Sequence, residues 1–146
     1  MSGFYMFISS DDCKDVFADN TFYDFTIEVK PEINLTGGSG FGEWAFALTD
    51  ISLDSATDTP LPETCTVLCD LARGSYMSAG SVPILRRIDV ESETSGSLFQ
   101  TYYIGVNKLI FNRIRIYLRN RDLLPLDKSL WNSKAVLNLT LHFQKI

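Results

Sequence analysis

Histidine is nearly absent from this chain: His142 is the only one in 146 residues, and cysteine is represented by three residues, Cys13, Cys65 and Cys69. The close pair Cys65 and Cys69 would need further ligands to hold a metal, and the chain offers a single histidine, so the sequence is read as having no metal centre and no cofactor. No apolar run approaches the ~20 residues that a membrane-crossing helix requires, and no membrane span is expected. Phe4 to Ile8 is apolar, yet no basic region precedes it and no small-residue cleavage site follows. A secretion signal is therefore not read, and folding in cytoplasm or nucleus is expected. There is no G-x-S-x-G elbow, and His142 has no identifiable catalytic partner, so the chain is not read as an enzyme. Repeats of solenoid period and low-complexity tails are missing as well. Helical signal is thin. It amounts to one turn in Ser10–Phe17, with Ser10 or Asp11 as N-cap, and a short stretch in Asp122–Trp131 interrupted by Pro125.

What is present is β-structure. The chain is 45% hydrophobic and 21% charged, and its ten Phe, six Tyr and two Trp suit packed sheet faces. The most informative stretch is Arg113-Ile114-Arg115-Ile116-Tyr117-Leu118-Arg119. Side chains on a strand alternate between faces, so Ile114, Ile116 and Leu118 share one side and Arg113, Arg115, Tyr117 and Arg119 the other. This predicts a half-buried strand with a basic outer face. Leu137, Leu139, Leu141 and Phe143 alternate with Val136, Asn138, Thr140 and His142 near the end of the chain. Phe25, Ile27 and Val29 alternate with Thr26, Glu28 and Lys30, while Trp44, Phe46 and Leu48 oppose Ala45 and Ala47. Strands are read at 4–9, 22–30, 43–53, 64–71, 84–90, 101–106, 113–119 and 135–143. Thr36–Gly40, Asp54–Pro62 and Ser92–Ser97 are polar or Gly/Pro-rich spacers. About eight short strands with such spacers predict one all-β domain over 1–146. The form expected is an antiparallel β-sandwich, jelly-roll-like, with at most short helical turns.

Several residue groups suggest chemistry and are set against plainer roles. Arg113, Arg115 and Arg119 with Tyr117 between them mix cations with an aromatic, as surfaces that track a phosphate backbone do. The sequence pI of about 4.7 opposes that reading and favours an exposed face or a subunit contact. Asp11, Asp12 and Asp15 cluster without a Gly-turn ligand scheme and are read as a solvated turn rather than a cation site. Cys65 and Cys69 lie four apart on an extended run, roughly 13 Å, beyond disulfide reach. They are read as buried thiols. The sequons at Asn34 and Asn138 should carry no glycan without a secretion signal. Charge is uneven, because residues 1–73 hold three basic and thirteen acidic groups and residues 74–146 hold ten and five. Either neighbouring strands balance these charges within one molecule, or complementary patches join two copies.

Five blocks in order look familiar. They are FYMFISSDD at the start, NTFYDFTIEVKPEINL at 20–35, GEWAFALTDISL at 42–53, VLCDL followed by VPILRRI at 67–88, and FNRIRIYLRNRDLLPL…VLNLTLHFQKI at the end. Together they resemble a β-rich virion-associated protein family encoded by Polinton/Maverick elements and adintovirus-like animal DNA viruses. The blocks span nearly the whole chain, as in a complete protein. Asp50 stands where that family has Glu, the segment between Leu53 and Thr64 is short, and Gln144-Lys145 stands where two arginines are common. The resemblance implies a viral structural protein (minor capsid, vertex or spike) located in the virion. Its partners would be itself as a homo-oligomer, other virion proteins and a possible host receptor. Interfaces are enriched in arginine and aromatics, so Arg113, Arg115, Tyr117, Arg119 and Trp131 are the candidate contacts. The alternative is a host-facing binding module that recognises a receptor or glycan through its loops.

Overall fold

The structure is a computed structural model that describes residues 3–12, 17–36, 43–54, 61–77, 80–90, 95–98, 100–127 and 134–146. Among these the chain forms β1 (Gly3–Ser9), β2 (Asp24–Asn34), β3 (Trp44–Asp54), β4 (Thr64–Cys69), β5 (Ser75–Met77) and β6 (Gly80–Val82). It continues through β7 (Ile84–Asp89), β8 (Ser95–Ser97), β9 (Ile104–Gly105), β10 (Ile110–Asn120) and β11 (Val136–Lys145). One sheet has the order β1-β11-β3-β8, with β9 also on β3, and the other has the order β2-β10-β4-β7. Every pairing in both is antiparallel. β5 and β6 form a separate hairpin. The all-β antiparallel sandwich is thus the observed class. Each segment read as a strand contains one, although 101–106 holds only the two residues of β9.

The core lies between the two sheets, because each contributes an apolar face that must leave water. Ile114, Ile116 and Leu118 of β10 are buried against Phe25 and Ile27 of β2 and Cys65, Val67 and Cys69 of β4. From the opposite sheet come Phe46, Leu48 and Ile51 of β3 and Leu137, Leu139, Leu141 and Phe143 of β11. Phe143 is the aromatic centre, with ring centroids 4.9 Å from Phe4, 5.2 Å from Phe46 and 6.0 Å from Phe111 of the facing sheet. Trp44, read on one strand face with Phe46 and Leu48, is half-buried at the core margin beside Phe4, 5.9 Å away.

Strict alternation fails at four places. Thr140 pairs with Asp50 and Leu141 with Leu48, so Thr49 is an extra residue in β3. Such a bulge shifts the phase, which is why Phe46 and Leu48 face the core before it and Ile51 after it. Thr140 was expected on the polar face. It is buried, and its Oγ1 donates to Asp50 Oδ1 at 2.8 Å. Ala45 and Ala47, opposite the core face, are buried too. In β4 both faces are buried, Thr66 and Leu68 as well as Cys65, Val67 and Cys69. The turn expected over Ser10–Phe17 falls largely on residues 13–16, outside the described residues, but the place of Ser10 is clear. Ser10 closes the β1–β11 ladder, with its N–H donating to the Leu137 carbonyl at 2.8 Å and its Oγ accepting the Leu137 N–H at 2.9 Å.

Candidate interface on the basic strand

β10 is an inner strand, between β2 and β4, so its outward side chains stand among neighbours rather than on a bare rim. Arg115 sits opposite Thr26, Tyr117 opposite both Asp24 and Leu68, and Arg119 opposite Thr66. This register brings an acid to an arginine. Arg115 Nε donates to Asp24 Oδ1 at 3.0 Å and Nη2 to Asp24 Oδ2 at 2.8 Å, the two-pronged geometry that suits a planar guanidinium. The hydrogen bond to Asp24 raises the Arg115 pKa above its ordinary value, against the opposing effect of partial burial. The guanidinium lies 4.2 Å from the Tyr117 ring centroid, and that of Arg119 lies 5.5 Å from the same ring. Burial pushes the Tyr117 hydroxyl pKa up, and the two arginines pull it part of the way back.

Arg115 is tied down from the backbone as well, because its N–H donates to Asp70 Oδ1 at 3.0 Å. Desolvation raises the Asp70 pKa, while the hydrogen bond from Arg115 and the charges of Lys108 and Arg115 oppose the rise. Arg113 is the most open of the three arginines, with its guanidinium 5.2 Å from the ring centroid of Phe17. The structure therefore brings Arg113, Arg115, Tyr117 and Arg119 together on one outer face. It also commits Arg115 to a partner inside the chain, and this local balance explains part of the uneven charge along the sequence. Trp131 lies outside the described residues.

The remaining candidates separate. Asp11 and Asp12 are exposed in the turn after β1, where the Asp12 N–H donates to the Ser9 carbonyl at 3.2 Å, and Asp15 lies outside the described residues. Among the described residues no three His, Cys, Asp or Glu side chains converge as metal ligands. Cys65 and Cys69 are free and buried; burial pushes the Cys65 thiol up to about 11 and the Cys69 thiol higher still. Cys13 lies outside the described residues. No helix among the described residues is long and apolar enough to cross a membrane.

Two surfaces went unnoticed in the sequence. The first is an aromatic cluster on the outer face of the five-stranded sheet. Tyr5 stacks on His142 at 4.4 Å between centroids, and the Tyr103 hydroxyl is 2.7 Å from His142 Nδ1. The second is the edge strand β1, where Tyr5 is 58% and Phe7 79% exposed. The signal was in the sequence, because FYMFIS carries large apolar groups on both strand faces and only one face can enter the core.

Fold and surface define the class, an antiparallel β-sandwich with a polar, arginine-bearing outer face on one sheet and exposed aromatics on the other. Comparison with known proteins adds no family to that description, since no protein-family model and no curated protein matches the chain.

Proposed function

We propose that the chain is a structural protein of a virus particle, in a minor capsid, vertex or spike position, that works by assembling with copies of itself and with other virion proteins. The sequence resemblance supplies the viral part of this reading. The observation that carries the rest is strand order. With the β5–β6 hairpin set apart and β8 and β9 taken as one position, eight strands read 1-8-3-6 in one sheet and 2-7-4-5 in the other. First pairs with last and second with next-to-last, the nested arrangement of two Greek keys, and this supports the jelly-roll reading. Such a domain performs its role by presenting rigid faces and edges to neighbours. Arg113 and Arg119 on the outer face remain contact candidates, setting register more than affinity, because exposed ion pairs are weak and screened by salt.

The test is solution mass by sedimentation over low to high micromolar concentration, at low and high salt, followed by imaging of what forms. Closed oligomers or larger assemblies are the expected outcome. A monomer throughout overturns the assembly reading. In that case the host-facing binding module takes its place, with the exposed Tyr5–His142–Tyr103 cluster favouring it as a platform for a receptor or glycan.

A further inference from the structure

A sandwich of two open sheets has four edges, and three of these are blunted. β2 carries Glu28, Lys30, Glu32 and Pro31, and its register with β10 breaks between Phe111 and Arg113. β7 carries Arg86, Arg87 and Asp89 and a register shift against β4. The β8 and β9 edge consists of pieces three and two residues long. Charge, proline, irregular register and shortness are the usual guards against unwanted strand pairing. β1 has none of them. It is seven residues long, GFYMFIS, uncharged and in unbroken register with β11, its one partner among the described residues.

Two open hollows flank this edge, and Phe7 lines both. One, of about 190 Å³, is walled by Ile8, Leu139 and Thr140 of the five-stranded sheet, with Asp12, Asp50 and Asn138 as its polar side. The other, of about 240 Å³, lies between β1 and β2 and is walled by Met6, Ile27 and Val29. A cavity of about 150 Å³ accepts a benzene-sized guest, so each hollow, open and mixed in its lining, has the volume for an aromatic ring. The same strand thus carries a protruding ring and, beside it, spaces that fit one. Charges of both signs border the second hollow, Asp12 and Glu28 with Lys30, and the Lys30 side chain is 78% exposed, 3.5 Å from Glu28.

We infer that β1 is the assembly edge and that its occupant is β1 of a second copy, laid antiparallel about a two-fold axis close to Phe7. A knob and a matching hole on one strand are complementary to themselves under such an axis, as are mixed charges that meet their opposites across it. The pairing joins two five-stranded sheets into one, satisfies the outward N–H and C=O groups of β1, and removes Phe7 from water. This inference rests on the assembly reading and names its contact.

Sedimentation of the wild-type chain, Phe7→Glu, Tyr5→Lys and the double variant Arg113→Ser/Arg119→Ser tests it, with thermal melting as the check on folding. Phe7 is solvent-facing in the single chain, so at a concentration where the wild type is monomeric its replacement should leave the melting midpoint near that of the wild type. Phe7→Glu is expected to weaken association by more than about tenfold, as loss of a central aromatic contact does, and Tyr5→Lys to weaken it in the same direction. The arginine double variant should retain most of the association. If the wild type associates and both β1 variants associate equally well, the β1 contact is wrong and the assembly reading stands. If the wild type stays monomeric, both fall, and the edge is left to a partner of another kind.

Discussion

Leu139 and Thr140 are consecutive in β11, and their substitutions separate two sources of stability. Leu139 is 2% exposed in the core, so Leu139→Ala removes apolar contacts and leaves a void, at a cost of about 2–5 kcal/mol. A mid-range loss of about 3 kcal/mol corresponds to a fall in melting midpoint of about 10 °C for a domain of this size. Simple alternation would make its neighbour neutral. Thr140 is instead 5% exposed with its hydroxyl 2.8 Å from Asp50 Oδ1, so Thr140→Val keeps the shape and leaves a half-buried carboxylate without that donor. The expected loss is about 1–2 kcal/mol, smaller than for Leu139 but measurable. Urea denaturation of both variants, with slopes unchanged from the wild type, gives the two values directly. A Leu139→Ala loss below about 1 kcal/mol would refute the placement of β11 in the core. A neutral Thr140→Val would refute the contribution of the Thr140–Asp50 bond.

Further outcomes follow from the polar groups. Asp24→Asn should cost about 1 kcal/mol or less, because the paired side chains are 43% and 38% exposed, and the loss should shrink at high salt in equilibrium unfolding. Desolvation raises the folded-state pKa of Asp70, so the fold favours its neutral form; that contribution is present at low pH and is lost as pH rises through the folded value. Asp70→Asn keeps an acceptor for the Arg115 N–H and should therefore be at least as stable as the wild type at pH 7, with the difference shrinking on acidification in pH-resolved unfolding. With the Cys65 thiol at about 11 and Cys69 above it, neither should react with a maleimide at pH 7 until the chain unfolds, as mass spectrometry of native and denatured samples would show.

The sandwich was legible because its strongest strands are simple. Arg113–Arg119 and Phe25–Val29 alternate as a sheet with one dry face demands, and the structure keeps both. Where the sequence misled, a second influence acted on the same residues. The apolar positions of β3 switch from even (Phe46, Leu48) to odd (Ile51), a visible trace of the bulge at Thr49, but alternation read without a partner strand cannot place it. Thr140 looked polar by position, and only its opposition to Asp50 reveals why it is buried. β5, β6 and β8 are three residues each, too short to show a period. The candidate face was legible as a face, since the four named side chains of β10 do gather there. Its chemistry was not, because the fork from Arg115 to Asp24 spans 91 positions of chain. The aromatic edge was missed for a related reason: Phe4, Met6 and Ile8 explain β1 as a core strand, and nothing in a single sequence tells which strand ends a sheet.

The central claim, that this domain assembles through β1, is tested most directly by amide hydrogen exchange of the wild-type chain at low and high concentration. In an antiparallel edge, alternate amides already bond to β11 and the others point outward. The account predicts that slow exchange appears in the outward amides of Phe4 to Ile8 as concentration rises, while β2 and β7 are unchanged. Exchange at β1 that stays the same from dilute to concentrated solution, while the mass of the particle grows, would contradict it.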